Sequence, residues 1–308
     1  LIYEVTLDLD RNSFYLYKFR IGPTDGNWQG NWESISECGY GEYSDRYYST
    51  SNESNQLVGP YCFSSCENCE ISNKSLSFDG VDDYVLIQNP GPIGNSERSI
   101  QFKVKQNVLD EINGLFYYGQ GGPNNQNKLI SVAFDNSGLY IDITSAWVKF
   151  ESIQIDNSFH DYILVFGSSG MLNDAVLYQD GIKHSVSSSG LAINASYNIN
   201  TNPGSLFLGK TWHISNDYPS DYFNGLIDEF MIWDFALNED QVQSFLINPP
   251  SSDEQGIVSY WNFNEGEGNT LTDLSGNGND GTIFGATWSD DVPQPFHSGP
   301  EWYVSADN

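Results

Sequence analysis

Short stretches that alternate apolar and polar residues recur along most of the chain. Alternation with a period of two is typical of β-strands that bury one face. Near the amino end, Tyr3–Asp8 and Ser13–Arg20 are joined by Asp10-Arg11-Asn12, which predicts an antiparallel hairpin. Further strands are predicted at Leu76–Phe78, Tyr84–Gln88, Ser99–Lys105, Gly114–Tyr118, Leu129–Phe134, Leu139–Ile143, Trp147–Phe150, His160–Phe166, Ala175–Gln179, Ser185–Ser187, Ser205–Leu208 and Leu226–Trp233.

Turn signals and one helix complete this pattern. Asp180-Gly181 predicts a tight hairpin, because a type I′ turn needs a positive φ at both central positions. A single helix is predicted between Asn238, which can cap its start, and Pro249-Pro250, which end it. Its apolar stripe consists of Val242, Phe245 and Leu246. Many short strands with one short helix predict an all-β antiparallel sandwich of jelly-roll type.

Composition narrows the classes of function. The 308 residues include 12 Lys+Arg against 41 Asp+Glu, for a net charge of −29. This charge repels a phosphate backbone, so nucleic-acid binding is excluded. No apolar run approaches the ~20 residues of a membrane helix, and no charged-then-apolar leader precedes the first strand. We therefore expect no membrane insertion.

The negative charge is distributed unevenly along the chain. No Lys or Arg follows Lys210, whereas acidic residues continue to the end of the sequence. Crowded carboxylates repel one another, and bound hard cations relieve that repulsion. Calcium is therefore the expected cofactor, and a solvated acidic surface is the alternative.

All four cysteines lie in one short stretch, at Cys38, Cys62, Cys66 and Cys69. An even, clustered set predicts two disulfides and an oxidising compartment. Three pairings are possible, and Cys38–Cys62 with Cys66–Cys69 is favoured because the second pair closes a tight loop. A zinc ribbon would need two Cys-x-x-Cys knuckles, and only Cys66–Cys69 has that form.

Two sequence blocks carry a resemblance to a known family. Ser75–Val85 (SLSFDGVDDYV) resembles the opening strand of the concanavalin A/laminin-G-like jelly-roll superfamily, and Phe223–Trp233 with Ala236–Glu239 resembles its closing strand and helix. A third block, Gly256–Pro293, precedes the opening strand in many family members but follows the closing strand here. We favour the interpretation that it completes the same sandwich, which gives a domain over 73–293. Alternatively, it begins a second sandwich.

The ends of the chain resemble other modules. Residues 1–70, with the cysteines, resemble the second half of an immunoglobulin-like, starch-binding-type carbohydrate module. Residues 294–308 are expected to be a linker into a following domain, because Pro300–Ser305 resembles the start of a parallel β-helix. Together these resemblances imply a fragment of a long, modular, secreted or cell-surface protein of Bacteroidetes type.

Catalytic patterns are weak in this sequence. Retaining hydrolases of this fold place Glu-x-Asp-x-x-Glu on one strand, and no segment matches that spacing. Asp228 and Glu229 are adjacent and are expected to point to opposite faces of a strand. The four histidines are scattered, with no nucleophile or metal-ligand spacing around them. We expect a non-enzymatic protein.

Candidate binding residues follow partly from the resemblance. In laminin-G-like domains the opening and closing strands run close together, which implies that Asp79 and Asp228 converge on one calcium ion. Asp273, Ser275 and Asn277 precede a glycine with the oxygen spacing of a calcium loop, although position 12 lacks the Glu of an EF-hand. Aromatic and polar side chains in loop-like stretches are candidates for stacking on sugars, namely Trp147, Trp212, His213 and Tyr218.

Two classes of function are consistent with these features. The first is a carbohydrate-binding or adhesive region that contacts a polysaccharide, a cell-surface glycan or other modules of its own long chain. The second is a structural spacer. A further alternative is that the chain is a non-catalytic part of a secreted polysaccharide-degrading enzyme. In each case the protein is expected to be extracellular or attached to the cell surface.

Overall fold

The computed structural model describes most of the chain between residues 73 and 293. The described residues are 73–109, 111–120, 128–144, 146–190, 197–212, 221–247, 250, 252 and 254–293, with the backbone of four short strands before residue 50. The chain forms two compact units, one containing Ser72–Ser298 and the other Ile2–Ile71 with Gly299–Asn308. Within the described part, no helix has the length and apolar character of a membrane span.

The smaller unit is described only through two pairs of strands. They are β1 (Phe14–Tyr17), β2 (Arg20–Ile21), β3 (Asn31–Trp32) and β4 (Arg46–Ser49). β1 pairs with β4 and β2 pairs with β3, both antiparallel. The other strand of the predicted amino-terminal hairpin and the four cysteines lie outside the described residues. The immunoglobulin-like module and the disulfides therefore stay predictions.

The larger unit contains seventeen described strands, one 3₁₀ turn and one helix. The strands are β5 (Ser75–Asp79), β6 (Tyr84–Gln88), β7 (Arg98–Gln106), β8 (Asn113–Gly119), β9 (Leu129–Asp135), β10 (Gly138–Asp142), β11 (Trp147–Phe150), β12 (Phe159–Phe166), β13 (Val176–Gln179), β14 (Ile182–Ser185), β15 (Ser188–Ser189), β16 (Ser205–Leu208), β17 (Asn224–Trp233), β18 (Ile257–Trp261), β19 (Thr270–Leu271), β20 (Gly281–Phe284) and β21 (Thr287–Ser289). The 3₁₀ turn is Leu172–Asp174 and the helix, α1, is Glu239–Ile247. The predicted all-β antiparallel class is confirmed.

Two antiparallel sheets form the sandwich. The front sheet has the strand order β15-β11-β10-β9-β8-β16-β6-β20-β19. The back sheet has the order β14-β13-β12-β7-β17-β5-β21, and β18 pairs with β17 beside this path. The predicted Asp180-Gly181 turn joins β13 to β14, and both residues have positive φ, 49° and 78°.

The period-two pattern places one face of each sheet in the core. In β6, Val85 and Ile87 are fully buried between the sheets, whereas Tyr84 and Leu86 lie on the outer face. Phe102, from the back sheet, and Phe116, from the front sheet, meet edge to face with ring centroids 5.6 Å apart. Burying a large apolar side chain contributes roughly 1.5–3 kcal/mol, so this interior is the main source of stability.

Strands from the end of the sequence complete both sheets. β20 pairs with β6 in the front sheet, while β21 pairs with β5 and β18 with β17 in the back sheet. Trp261 and Phe263 are fully buried in the main core. Residues 257–289 are therefore part of the same sandwich as 75–233.

Helix α1 covers part of the outer face of the back sheet. The Asn238 side chain accepts a hydrogen bond from the Gln241 backbone N–H at 2.9 Å, and the Gln241 side chain accepts one from the Asn238 N–H at 3.0 Å. This reciprocal capping box starts the helix where the sequence predicts it. Phe245 stacks on Trp233 of β17 at 5.9 Å, and Trp233 is fully buried. The back sheet is thus buried on both faces beneath the helix.

Candidate functional site

A line of aromatic side chains crosses the outer face of the front sheet. The strand register places Phe284 of β20 opposite Tyr84 of β6, and Phe207 of β16 opposite Tyr117 of β8. Trp212, just after β16, contacts Tyr117. We call these five residues, Phe284, Tyr84, Phe207, Tyr117 and Trp212, the aromatic row.

The rings of the aromatic row contact one another in sequence. Phe284 stacks on Tyr84 with centroids 4.7 Å apart, and Tyr117 stacks on Phe207 at 4.6 Å. Tyr84 and Phe207 are 5.9 Å apart, and Trp212 meets Tyr117 edge to face at 5.7 Å. The inner rings therefore shield one another, whereas Phe284, 40% exposed at one end, presents a face to solvent.

Lys210 lies against the aromatic row. Its ammonium nitrogen is 3.8 Å from the ring centroid of Tyr84, 4.5 Å from that of Phe207 and 5.9 Å from that of Tyr222. Such cation–π contacts stabilise a cation that has lost part of its hydration. Burial lowers the pKa of Lys210 from its usual range, because desolvation disfavours the charged form.

The backbone before Lys210 explains its position. Gly209 has a φ of +90°, which L side chains rarely adopt. A Cβ at this residue would lie 2.5 Å from the ring of Phe78 and 2.9 Å from the carbonyl oxygen of Asp83. Only glycine fits here, so the chain can leave β16 close to the start of β6 and place Lys210 over Tyr84.

Trp147 lies on the same outer face, further along the sheet. The register joins Trp147 to Tyr117 through Asp142 and Ser131 on the two strands between them. Three strand spacings separate these aromatics by roughly 14 Å. Trp147 is 39% exposed, and its indole lies so close to Gly190 that a Cβ there would collide with it.

Of the predicted sugar-contacting residues, the structure therefore places Trp147 and Trp212 on one face. The indole N–H of Trp212 is buried and has no hydrogen-bond partner among the described residues. His213 and Tyr218 lie outside the described residues. The sequence analysis missed Tyr84, Tyr117, Phe207 and Phe284. The only signal it offered was that each of them occupies an outward-facing position in the alternation of its strand.

A turn rich in carboxylates precedes Tyr84. Asp79, Asp82 and Asp83 each offer one carboxylate oxygen, and these oxygens lie within 4.8 Å of one another. The Asp79 N–H donates to Asp83 Oδ2 at 2.9 Å. The pKa of Asp83 is raised by its burial, and repulsion from Asp79 and Asp82 adds to this effect. We call these three residues the acidic turn.

Comparison with known proteins identifies the fold. A profile described as the concanavalin A-like lectin/glucanases superfamily, of the laminin-G type 3 family, matches residues 79–243, more than half of the chain. The chain belongs to this superfamily. The resemblance of the opening and closing blocks to laminin-G-like domains is thereby confirmed. A search of the curated proteins finds no match to this sequence.

Some solved structures are similar to this chain at low sequence identity. A candidate carbohydrate-binding protein from Bacteroides ovatus has a TM-score of 0.54 at 14% identity, covering 94% of this chain and 72% of its own. The CBM40 module of a Ruminococcus gnavus sialidase, solved with α2,3-sialyllactose, has a TM-score of 0.42 at 14% identity over 56% of this chain and 96% of its own. At these identities the likeness shows the fold alone.

The expected meeting of Asp79 and Asp228 is wrong for this concanavalin A-like chain. Asp79 lies opposite Asn224, whereas Asp228 lies opposite Lys103, four residues further along β17 and roughly 13 Å away. Asp79 instead groups with Asp82 and Asp83 at the other end of the strand pair.

A β-bulge also changes the expected direction of Asp228 and Glu229. The register shifts between Asp228 and Met231, and Glu229 has a φ of +51°. Both carboxylates interact with Lys103 instead of facing away from each other. A bulge puts two residues opposite one, so simple alternation fails there.

These residues form a charged cluster on the back sheet, which we call the Lys103 cluster: Lys103, Asp161, Asp228 and Glu229. Burial raises the pKa of Asp161 to about 6 and that of Asp228 well above its usual range. Burial opposes the charge of Lys103, but its three carboxylate neighbours outweigh this effect and raise its pKa. The sequence analysis missed this cluster, because it joins three strands that are distant in sequence.

The candidate calcium loop at Asp273 is held by protein hydrogen bonds. The Asp273 carboxylate accepts from the backbone N–H groups of Tyr260 (3.1 Å), Ser275 (3.0 Å) and Asn279 (2.9 Å). The Asn277 amide donates to the Val258 carbonyl at 3.1 Å. These contacts tie the loop to β18 and use the oxygens of Asp273 within the fold.

Proposed function

We propose that this chain is a non-catalytic carbohydrate-binding region of a modular extracellular or cell-surface protein. The observation that carries the proposal is the aromatic row, which ends in the exposed ring of Phe284, together with the exposed ring of Trp147 on the same outer face. Sugar rings present C–H faces that stack on aromatic side chains, and adjacent polar groups fix their orientation. The Bacteroides ovatus protein of the same fold is also named for carbohydrate binding.

The two exposed rings suggest the size of the ligand. Phe284 and Trp147 are 40% and 39% exposed, and lie on strands separated by six spacings, or roughly 29 Å. A surface of this length suits several sugar units of an extended glycan. Each exposed ring stacks on one sugar, so we expect weak affinity per module, about 10 μM to 1 mM, with retention increased by repetition along the parent chain.

Binding is tested with glycan arrays and polysaccharide pull-downs of the whole chain. We expect Phe284→Ala and Trp147→Ala to weaken retention severalfold. Ile182→Ala, which removes an exposed apolar side chain on the back sheet, should not change it. Failure to bind any polysaccharide or cell surface would favour the spacer function, in which the stacked inner rings serve only packing. Release of reducing ends or unsaturated sugars would contradict the non-catalytic assignment.

We also propose that calcium binds the acidic turn. Calcium–oxygen distances of about 2.4 Å allow opposed ligands up to about 4.8 Å apart, which matches the spacing of the three carboxylates. A cation would relieve the repulsion that raises the pKa of Asp83. The turn directly precedes Tyr84, so ordering it would support one end of the aromatic row.

Calcium binding is tested by thermal unfolding with calcium and with chelator. We expect calcium to raise the melting temperature of the wild-type chain, because a ligand that binds only the native state stabilises it. Asp82→Asn should abolish this increase with little other effect, because Asp82 is exposed. Asp273→Asn should lower the melting temperature and keep the increase. An unchanged calcium response in Asp82→Asn would contradict this site.

A further inference from the structure

Four of the seven described lysines of this acidic protein form an ion pair, and Lys210 is not among them. Lys74, Lys105, Lys149 and Lys183 each form an ion pair with a carboxylate. Among the described residues, no carboxylate lies within ion-pair distance of Lys210. In a chain with 41 acidic and 12 basic residues, a cation without a counterion needs an explanation.

The surroundings of Lys210 do not compensate for the missing counterion. The Lys210 ammonium is half-buried against the rings of Tyr84 and Phe207, where it loses hydration. Cation–π contacts recover part of that cost, while an anion would recover more through a charge-assisted hydrogen bond. Burial also lowers the pKa of this group, consistent with a charge that lacks a partner.

We propose that the aromatic row binds a sugar carrying an anionic group, a carboxylate or a sulfate, which pairs with Lys210 while the sugar ring contacts the exposed aromatic surface. The inference rests on the proposed carbohydrate binding and names its ligand class. Lys210 acts here as a specificity-determining residue, because a neutral sugar gains only the aromatic contacts.

The net charge of the chain restricts how many anionic groups the ligand can carry. A chain with a charge of −29 repels densely charged polymers over a distance of about a Debye length. Lys210 offers a single local cation on this face. The preferred ligand is therefore a glycan with one anionic group, or widely spaced groups, and not a continuous polyanion.

Titration calorimetry of the whole chain with matched oligosaccharides tests the proposal. The probes are a trisaccharide ending in glucuronate, its methyl ester, and the corresponding trisaccharide that carries one sulfate in place of the carboxylate. We expect the wild type to bind an anionic probe at least tenfold more tightly than the ester. Preference between carboxylate and sulfate then identifies the group that Lys210 prefers.

Variants separate the charge of Lys210 from its packing. Lys210→Met keeps the aliphatic length and should reduce the affinity for the anionic probe to that for the ester, without changing the affinity for the ester. Lys210→Arg should retain most of the preference. Lys149→Met is the matched control, because Lys149 lies on the same outer face but is paired with Asp135 at 2.6 Å.

Three outcomes would overturn the inference. Equal affinity of the wild type for the ester and for both anionic probes would remove the anionic preference while leaving carbohydrate binding intact. Loss of ester binding in Lys210→Met, with an unchanged melting temperature, would show that Lys210 shapes the row and does not select charge. Absence of binding to all three probes and to every glycan on the arrays would defeat both this inference and the proposed function.

Discussion

The outward-facing aromatic and charged residues of the two sheets differ in their exposure and in their partners. On the front sheet the rings of Tyr84 and Phe284 reach solvent, and Lys210 lies over the ring of Tyr84 without a carboxylate partner among the described residues. On the back sheet Trp233 is buried beneath α1, and Lys103 is surrounded by three carboxylates. Both faces arise from the same alternation of strand residues.

The difference is in what covers each face. Helix α1 lies over part of the back sheet, so outward residues of β17 and of its neighbour β18 form a second apolar cluster that includes Met231, Trp233 and Tyr260. The aromatic row has no comparable cover from a described helix or strand. An outward aromatic residue therefore contributes mainly to stability on the back sheet, and is available for binding on the front sheet.

The largest expected effect is the difference in unfolding free energy between a variant of the back sheet and a variant of the front sheet. Trp233→Ala should lower the free energy of unfolding by about 3–5 kcal/mol, because it leaves a large cavity under α1. Phe284→Ala should cost less than about 1 kcal/mol, because Phe284 already contacts water. Urea unfolding measures both variants.

A conservative variant controls for cavity size. Trp233→Phe keeps the contact with Phe245 and removes an indole N–H that has no partner among the described residues. We expect it to cost about 1 kcal/mol or less. A large loss for Phe284→Ala, or a small one for Trp233→Ala, would contradict the division of roles.

The Lys103 cluster should show the next largest effect. Lys103→Met removes the cation from three largely buried carboxylates, and we expect a loss of about 3 kcal/mol at pH 7.5. The loss should be smaller at pH 5, where Asp161, whose pKa is about 6, is protonated and needs no cation. Urea unfolding at both pH values measures this difference.

Lys105 provides the matched control for Lys103. It lies two residues further along β7 and pairs with the half-exposed Asp291. Lys105→Met should cost less than about 1 kcal/mol at either pH, as surface ion pairs do. A loss for Lys103→Met that does not vary with pH would show that packing, and not charge, explains the effect.

The smallest effect concerns His160 on the back sheet. His160 lies between Asp180 at 2.6 Å and Asp156 at 3.1 Å, and its hydrogen bond to Asp180 is the main cause of its raised pKa. Because the folded pKa exceeds the unfolded value, this stabilisation is complete below about pH 6.5 and is lost as the pH rises through the folded pKa.

Unfolding measurements at pH 5.5 and 8.5 test this behaviour. The wild type should lose the stabilisation from His160 over this range, and His160→Gln should therefore show a smaller decrease. His184, which lies on β14, is the control: burial lowers its pKa, so this group opposes the decrease, and His184→Gln should show a decrease at least as large as that of the wild type. An identical decrease in His160→Gln and the wild type would exclude His160 as its source.

Local signals in the sequence were sufficient for several elements of this fold. The alternation of apolar residues predicted Tyr84–Gln88 and Trp147–Phe150 with the observed bounds, and Asp180-Gly181 predicted its turn. The cap at Asn238 predicted the start of α1. These features depend on residues within a few positions of one another, so the sequence states them directly.

Only the tertiary structure decided which of these elements meet. A period of two tells which side chains share a face of one strand, but not which strand lies beside it. The aromatic row needs β6, β8, β16 and β20 to be neighbours, although Tyr84 and Phe284 are 200 residues apart in the sequence. The bulge at Glu229, which joins two carboxylates to Lys103, likewise has no local signal. Both arrangements depend on how the two sheets pack around a shared core, and therefore on the whole chain at once.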